Sequence, residues 1–419
     1  MTLTLRDSAA VRARFPALSQ MVDGQPAVFF DGPGGTQVPS DVIDAITSYL
    51  TSANANTHGP FLTSRRTDGV IAAAHERMAD LLGCDPDEVL FGQNMTTLTF
   101  AIARAIGRDL GPGDEIVLTR LDHDANVSPW AALAERGVTI SYVDVDIEDC
   151  TLDMDDLAAK ITPRTKLVAV GYASNAVGTI NDIASVVRLA HAVGALTFVD
   201  AVHYAPHGPI DVRALDTDFL ACSPYKFFAP HMGAIYGKRE HLERLTPYKV
   251  RPAGEQTPDR WETGTKNHEG MAGVSAAIDY LEELGRGSAG SAAPPTRRAA
   301  LVAAMTAIQV YERELSEHLV SGLLAIPGLT LYGIADAARF DWRTPTVAVR
   351  VAGRTPEYLA TELGRRGIFC WHGNYYAINL TERLGVEADG GMLRIGLVHY
   401  NTHAEIDRLL EELGAIAVG

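Results

Sequence analysis

Cysteine is scarce. The 419 residues contain four, Cys84, Cys150, Cys222 and Cys370, far apart and with no Cys-x-x-Cys pair. That excludes a zinc ribbon or a disulfide framework and fits a reducing, cytoplasmic setting. Basic runs are missing too: 36 Lys and Arg stand against 52 Asp and Glu, a formal charge of −16. Nucleic acid is therefore not an expected partner, and a small anionic ligand has to be held by local donors. No apolar stretch approaches the ~18 residues of a membrane span, and Met1 to Asp7 mixes acid and base early, unlike a signal peptide. Metal-ligand spacing is also lacking. His123 lies between Asp122 and Asp124 with no further ligand at helical spacing, and Pro206 interrupts any helix that would align His203 with His207, so no metal is expected.

What the chain does have is alternation. Apolar strands such as Lys166 to Gly171, Leu196 to Asp200 and Phe219 to Cys222 alternate with helical segments such as Thr96 to Ile106 and Ile183 to Val193. This predicts an α/β fold with a mostly parallel sheet covered on both faces. The length calls for two domains. Residues 1–28 read as an N-terminal arm, 29–285 as a large domain, 286–295 as a Gly/Ser/Ala/Pro linker, and 296–419 as a smaller α+β domain. The turn Gly32-Pro33-Gly34-Gly35 lacks the Gly-Lys-Ser/Thr ending of a phosphate loop; it reads as an ordinary turn or as backbone approaching a ligand or subunit. The polar loop around Asn56 has no regular period, and such loops often face ligands.

Parallel sheets place ligands at the carboxyl ends of their strands, and the polar residues there form a set. Lys226 lies in an apolar, aromatic stretch, where an amine titrates readily and suits Schiff-base chemistry with an aldehyde cofactor. Asp200 ends a strand and can supply the carboxylate that keeps a pyridinium nitrogen protonated. Met95 and Thr96 open a helix after a strand, a place for phosphate. His123 can stack on a ring, and Asn175 and His203 are both candidates for a ring oxygen. One cofactor uses all of these contacts: pyridoxal 5'-phosphate.

From about Phe29 to Leu413 the chain resembles the class V aminotransferase group of fold-type I pyridoxal-phosphate enzymes, most of all its cysteine desulfurase-like branch. The resemblance rests on Val199-Asp200-Ala201-Val202-His203, on Ser223-Pro224-Tyr225-Lys226, on Asp122-His123 followed by Ala125-Asn126, and on Trp261-Glu262-Thr263-Gly264-Thr265. It implies a seven-stranded, mostly parallel sheet in the large domain. It implies that Asp200 binds the pyridine nitrogen, His203 the 3'-oxygen, Ser223 and Tyr225 the phosphate, and that Lys226 carries the cofactor. It further implies a homodimer with shared sites, Thr265 reaching the partner's phosphate, and Arg394 gripping the α-carboxylate of an amino-acid-like substrate.

One segment departs from the pattern. Where desulfurases carry a loop cysteine that stores sulfur as a persulfide, this chain has Tyr376, and Trp371 stands where a loop arginine is expected. A phenol with a pKa near ~10 cannot take over that role, and Cys370 reads as a small buried hydrophobe. The resemblance then implies an external aldimine and a Cα carbanion, with desulfurase-like C–S or β-elimination as the expected outcome. Epimerisation, transamination, or a cofactor-bound regulatory or binding role are the alternatives. Asn56, Trp371, His372 and Tyr376 are the residues expected to steer substrate.

Overall fold

The computed structural model describes residues 5, 8–288 and 294–418. Its centre is a seven-stranded sheet in the spatial order Val89–Gly92, Gly233–Gly237, Phe219–Cys222, Leu196–Asp200, Thr165–Gly171, Glu115–Thr119, Thr139–Val143. Six of these strands point the same way, while Gly233–Gly237 runs against them, antiparallel to both its neighbours. The central strands are mostly apolar because both faces are covered. Val168 and Val170 enter the core on one side, and Leu167 and Ala169 the core on the other, as a period of two requires.

Local chemistry fixes the elements that carry the site. Helix Met95–Ile106 starts where the Asn94 side chain accepts from the Thr97 N–H at 2.8 Å, an N-cap that leaves the first turn facing the sheet's carboxyl edge. A Cβ on Gly233 would sit 2.2 Å from the Asn94 carbonyl carbon and 2.4 Å from the Met95 nitrogen, so only glycine lets the antiparallel strand approach this helix start.

A second, antiparallel sheet is built from Leu329–Tyr332, Thr346–Val351, Met392–Gly396 and Trp371–Gly373. The chain's beginning joins it: Val28–Phe29 pairs in parallel with Ile368–Phe369, Asp31 bridges to Gly396, and Val28 and Phe30 lie in the C-terminal core. The turn Gly32–Gly34 is thereby held against the second sheet while it reaches the first.

The stretch 286–295, expected as a linker, begins as helix. His268–Ser288 continues through it to Ser288, and residues 289–293 lie outside the described ones. The glycines serve packing: Gly285 and Gly287 are buried, and a Cβ on Gly285 would meet the Ala300 carbonyl oxygen of the following helix, Arg297–Leu324, at 1.8 Å. That helix spans both parts. Leu301, Ala304, Met305 and Ile308 belong to the large core, and Leu315, Leu319 and Leu323 to the C-terminal one. Among the described residues no helix is long and apolar enough to cross a membrane.

Candidate active site

Lys226 ends a short turn, Pro224–Lys226, that leaves the strand Phe219–Cys222. Its side chain is buried and its Nζ donates to the Pro33 carbonyl. Burial, aided by the Arg394 charge and opposed by Asp200, pulls its pKa down to about 7. A neutral amine is the nucleophilic form. Asp200 closes the neighbouring strand and accepts the Val202 N–H at 2.9 Å; burial raises its carboxyl to about 6 against the pull of that hydrogen bond and of Lys226. Asp122 is buried nearby, with the Thr119 hydroxyl and the Asn126 amide (2.8 Å) donating to it. Burial, reinforced by the Asp200 charge, lifts it to about 8.

His123 accepts the Ala125 N–H on Nδ1 at 3.0 Å, so the proton of a neutral ring sits on Nε2. Burial and then the charges of Lys226 and Arg394 lower its pKa to about 4. Met95, Thr96, His123, Asn175, Asp200, His203, Ser223, Tyr225 and Lys226 line one cavity of about 90 Å³. His123, Asn175, Tyr225 and Lys226 also line a larger, open cavity of about 1320 Å³ with Arg394, Trp371, His372 and Tyr376.

Arg394 enters from the second sheet. It is buried, donates from Nη1 to the Asn175 carbonyl at 2.9 Å, and lies 4.2 Å over the Tyr375 ring. Burial lowers its pKa to about 10, opposed by Tyr375, Asp31 and Tyr225. Its guanidinium still carries its charge at neutral pH, ready for a carboxylate.

The loop over this cavity is pinned. Tyr375 and Tyr376 both take left-handed backbone, φ 56° and 61°, strained for residues with a Cβ. Hydrogen bonds hold them: the Asn175 amide donates to the Tyr375 carbonyl (2.9 Å) and the Asp124 N–H to the Tyr376 carbonyl (2.7 Å). The Tyr376 ring, 68% exposed, stacks 5.4 Å from His123 at 25°. Trp371 lies against Gly34, where a Cβ would come within 2.5 Å of the indole nitrogen. Cys370, between the strands Ile368–Phe369 and Trp371–Gly373, packs against the C-terminal core and is not among the residues lining either cavity. Burial raises its thiol pKa.

Thirteen of the expected site residues thus meet around Lys226, and two do not. Asn56 and Thr265 are exposed and line neither cavity. Pro33, Asp122 and Tyr375 were not foreseen in their observed places. The Gly32–Gly35 turn did signal close backbone approach; Tyr375 gave no signal beyond its neighbour Tyr376.

The class-V aminotransferase profile matches residues 28–293 and 297–409. The chain belongs to the class-V aminotransferase family. Its relatives include a probable cysteine desulfurase of Halalkalibacterium halodurans, 32% identical over 96% of both chains, and a cysteine desulfurase of Pectobacterium atrosepticum, 32% identical over 97% of both. Among solved structures, the apo cysteine desulfurase of Thermococcus onnurineus NA1 is similar with a TM-score of 0.86, 25% identity and 98% coverage of each chain. A cysteine desulfurase from Escherichia coli gives 0.82, 28% and 98% of each.

This class-V chain is a cysteine desulfurase-like enzyme of fold type I, dependent on pyridoxal 5'-phosphate. The cavity suits that group. Two buried polar atoms of its lining, Asn175 Oδ1 and His203 Nδ1, have no protein partner, and a buried polar atom needs one. Beside them stand the buried Lys226 amine, the Asp200 carboxyl and the start of the helix Met95–Ile106.

Proposed function

We propose that this enzyme is a C–S or β-elimination lyase acting on a β-substituted, amino-acid-like substrate without a persulfide cysteine. The observation that carries the reading is the placement of the thiols: none of the four cysteines lines either cavity. Burial raises the pKa of all four cysteines, Cys150 to about 12, whereas a sulfur-accepting cysteine has to be an accessible thiolate.

The cofactor, when bound, supplies an electron sink conjugated to the substrate amine. The chain's own groups do the rest. Arg394 holds the α-carboxylate as a two-pronged donor, which fixes how Cα faces Lys226. Lys226, whose pKa of about 7 leaves a large neutral fraction at physiological pH, is the base that takes the Cα proton. Asp200 keeps the ring nitrogen protonated, and His123 covers the ring face. Met95, Thr96, Ser223 and Tyr225 hold the phosphate; Asn175 and His203 meet the ring oxygen. Trp371, His372 and Tyr376 border the space for the β-substituent. Asn56 and Thr265, exposed and away from their own cavity, serve the site of a second copy in a homodimer. The four unpaired cysteines support a reducing, cytoplasmic setting.

The test is a panel of β-substituted amino acids, scored for pyruvate and ammonia, with trapping of protein persulfide in parallel. Release of both products without persulfide supports the lyase. A persulfide on any cysteine overturns it, and so does a racemised amino acid or a new keto acid formed in place of pyruvate.

A further inference from the structure

Behind the cofactor cavity lies a buried polar cluster of which the mechanism above uses only His203. His203 is held through Nε2, 3.1 Å from the Thr344 hydroxyl, while its Nδ1 is buried without a partner in the lining of the cavity. Which ring nitrogen carries the proton decides whether Nδ1 can donate. The Thr344 hydroxyl has one proton and two acceptors within reach, His203 Nε2 at 3.1 Å and the Gly178 carbonyl at 3.3 Å. The Gly178 carbonyl already receives the Thr344 N–H at 2.8 Å, and the hydroxyl lies closer to the nitrogen than to that carbonyl, which favours donation to Nε2 over a second bond to the carbonyl. The contact is pinned from the other side. Gly178 has φ +84°, and a Cβ there would lie 2.4 Å from the Thr346 carbonyl oxygen and 3.1 Å from Thr344 Oγ1.

We propose that Thr344 is a positioning residue that selects the Nδ1–H tautomer of His203 and so makes that ring a hydrogen-bond donor toward the cofactor's ring oxygen. His207 and Glu312 complete the device. The His207 ring lies 5.1 Å from His203 and its Nδ1 is 2.7 Å from Glu312 Oε2, a buried pair. Burial first, then repulsion from the His207, Lys226 and Arg394 side chains, holds the His203 pKa well below its ordinary value. Glu312 also accepts the His399 N–H; the His399 side chain bonds the Tyr280 hydroxyl at 2.6 Å and is itself lowered to about 3 by burial and by His207. Arg343, Arg313 and Asp341 border the small cavity on the far side of Glu312. His203 is thereby kept neutral and Thr344 chooses its proton's place.

This inference rests on His203 meeting the ring oxygen, and its first test needs neither cofactor nor substrate. In cofactor-free protein with ¹⁵N-labelled histidine, NMR should show His203 as Nδ1–H in the wild type and in Thr344→Ser. In Thr344→Val, or in Thr344→Ala should valine not fold, the Nε2–H form should appear. With cofactor bound, the apparent pKa of its absorption change should shift by about one unit in Thr344→Val, return in Thr344→Ser, and fail to shift when the same change is made in His203→Gln, whose amide donates without a tautomer. An unchanged tautomer in Thr344→Val overturns the proposal. So does a spectral shift of equal size in the His203→Gln background. Neither result depends on which reaction the enzyme performs.

Discussion

Replacing Arg394 by glutamine removes one buried charge and little volume. Among the described residues Arg394 forms no ion pair; its contacts are the Asn175 carbonyl, the Tyr375 ring and the more distant charge of Asp31. A substrate carboxylate would take two charge-assisted hydrogen bonds from it, each worth about 1.5–3 kcal/mol. Because one partner's loss leaves the other charge poorly solvated, the total is about 3–5 kcal/mol. At 1.36 kcal/mol per decade, affinity for an α-amino acid should fall by about 10² to 10³·⁵. The assay is titration of the cofactor's absorption with amino acids and with the matching amines that lack a carboxylate. Only the acids should weaken in Arg394→Gln. The folded protein should not suffer, since an unpaired buried cation costs stability, so its melting temperature should hold or rise. A loss below about tenfold for the acids, or an equal loss for the amines, would refute the assignment of Arg394 to the carboxylate.

Lys226 gives a pH signature in the cofactor-free protein. Between about 7 and the ordinary 10.5 the unfolded chain binds the lysine proton and the folded chain does not, so this group adds stability as pH rises through that window and is silent below it. Denaturant titrations from pH 6 to 10 on wild type and Lys226→Met should show that slope only in the wild type. Gly285→Ala places a Cβ 1.8 Å from the Ala300 oxygen; the strain should outweigh the gain in helix propensity and cost about 1–3 kcal/mol, seen as a lower melting temperature with unchanged cofactor spectrum. Cys370→Ala should leave turnover within about twofold while lowering stability by about 1 kcal/mol, because only packing is lost.

The parts of the fold that were legible in the sequence are those whose signal is local. Uninterrupted apolar strands such as Leu196–Asp200 announced a sheet covered on both faces, and the polar residues just past their ends collected the site. What stayed hidden depends on distant pairing. Gly233–Gly237 is a five-residue strand beginning and ending in glycine, and one of its partners, Val89–Gly92, lies far upstream. Val28–Phe29 and Ile368–Phe369 are two residues each and stabilise one another across almost the whole chain; nothing in either dipeptide specifies the other. Gly285 and Gly287 misled for a related reason. Composition cannot distinguish a glycine that loosens a linker from one that lets two helices touch, and here the second helix decides. Thr344 is the same case within the site, since its meaning comes from Gly178 and His203 and not from its neighbours in sequence.

The loop at 374–377 ties these strands of reasoning together. A sulfur-accepting cysteine needs a segment that can carry it to the substrate and release it, and an environment that favours thiolate. This segment holds no cysteine and is pinned in place. Two consecutive left-handed tyrosines are fixed by hydrogen bonds to their carbonyls from the Asn175 side-chain amide and the Asp124 N–H, residues that follow strands of the large sheet. Tyr375 lies under the Arg394 guanidinium, Tyr376 stacks against His123, and Trp371 presses on Gly34. Moving the loop would therefore disturb Arg394 and uncover His123 together. The strain in the two tyrosines persists because these contacts over-determine it. A wall so fixed is better suited to enclosing a substituent that departs from Cβ than to chemistry that must travel, which is why the lyase reading and the docked loop stand on the same residues.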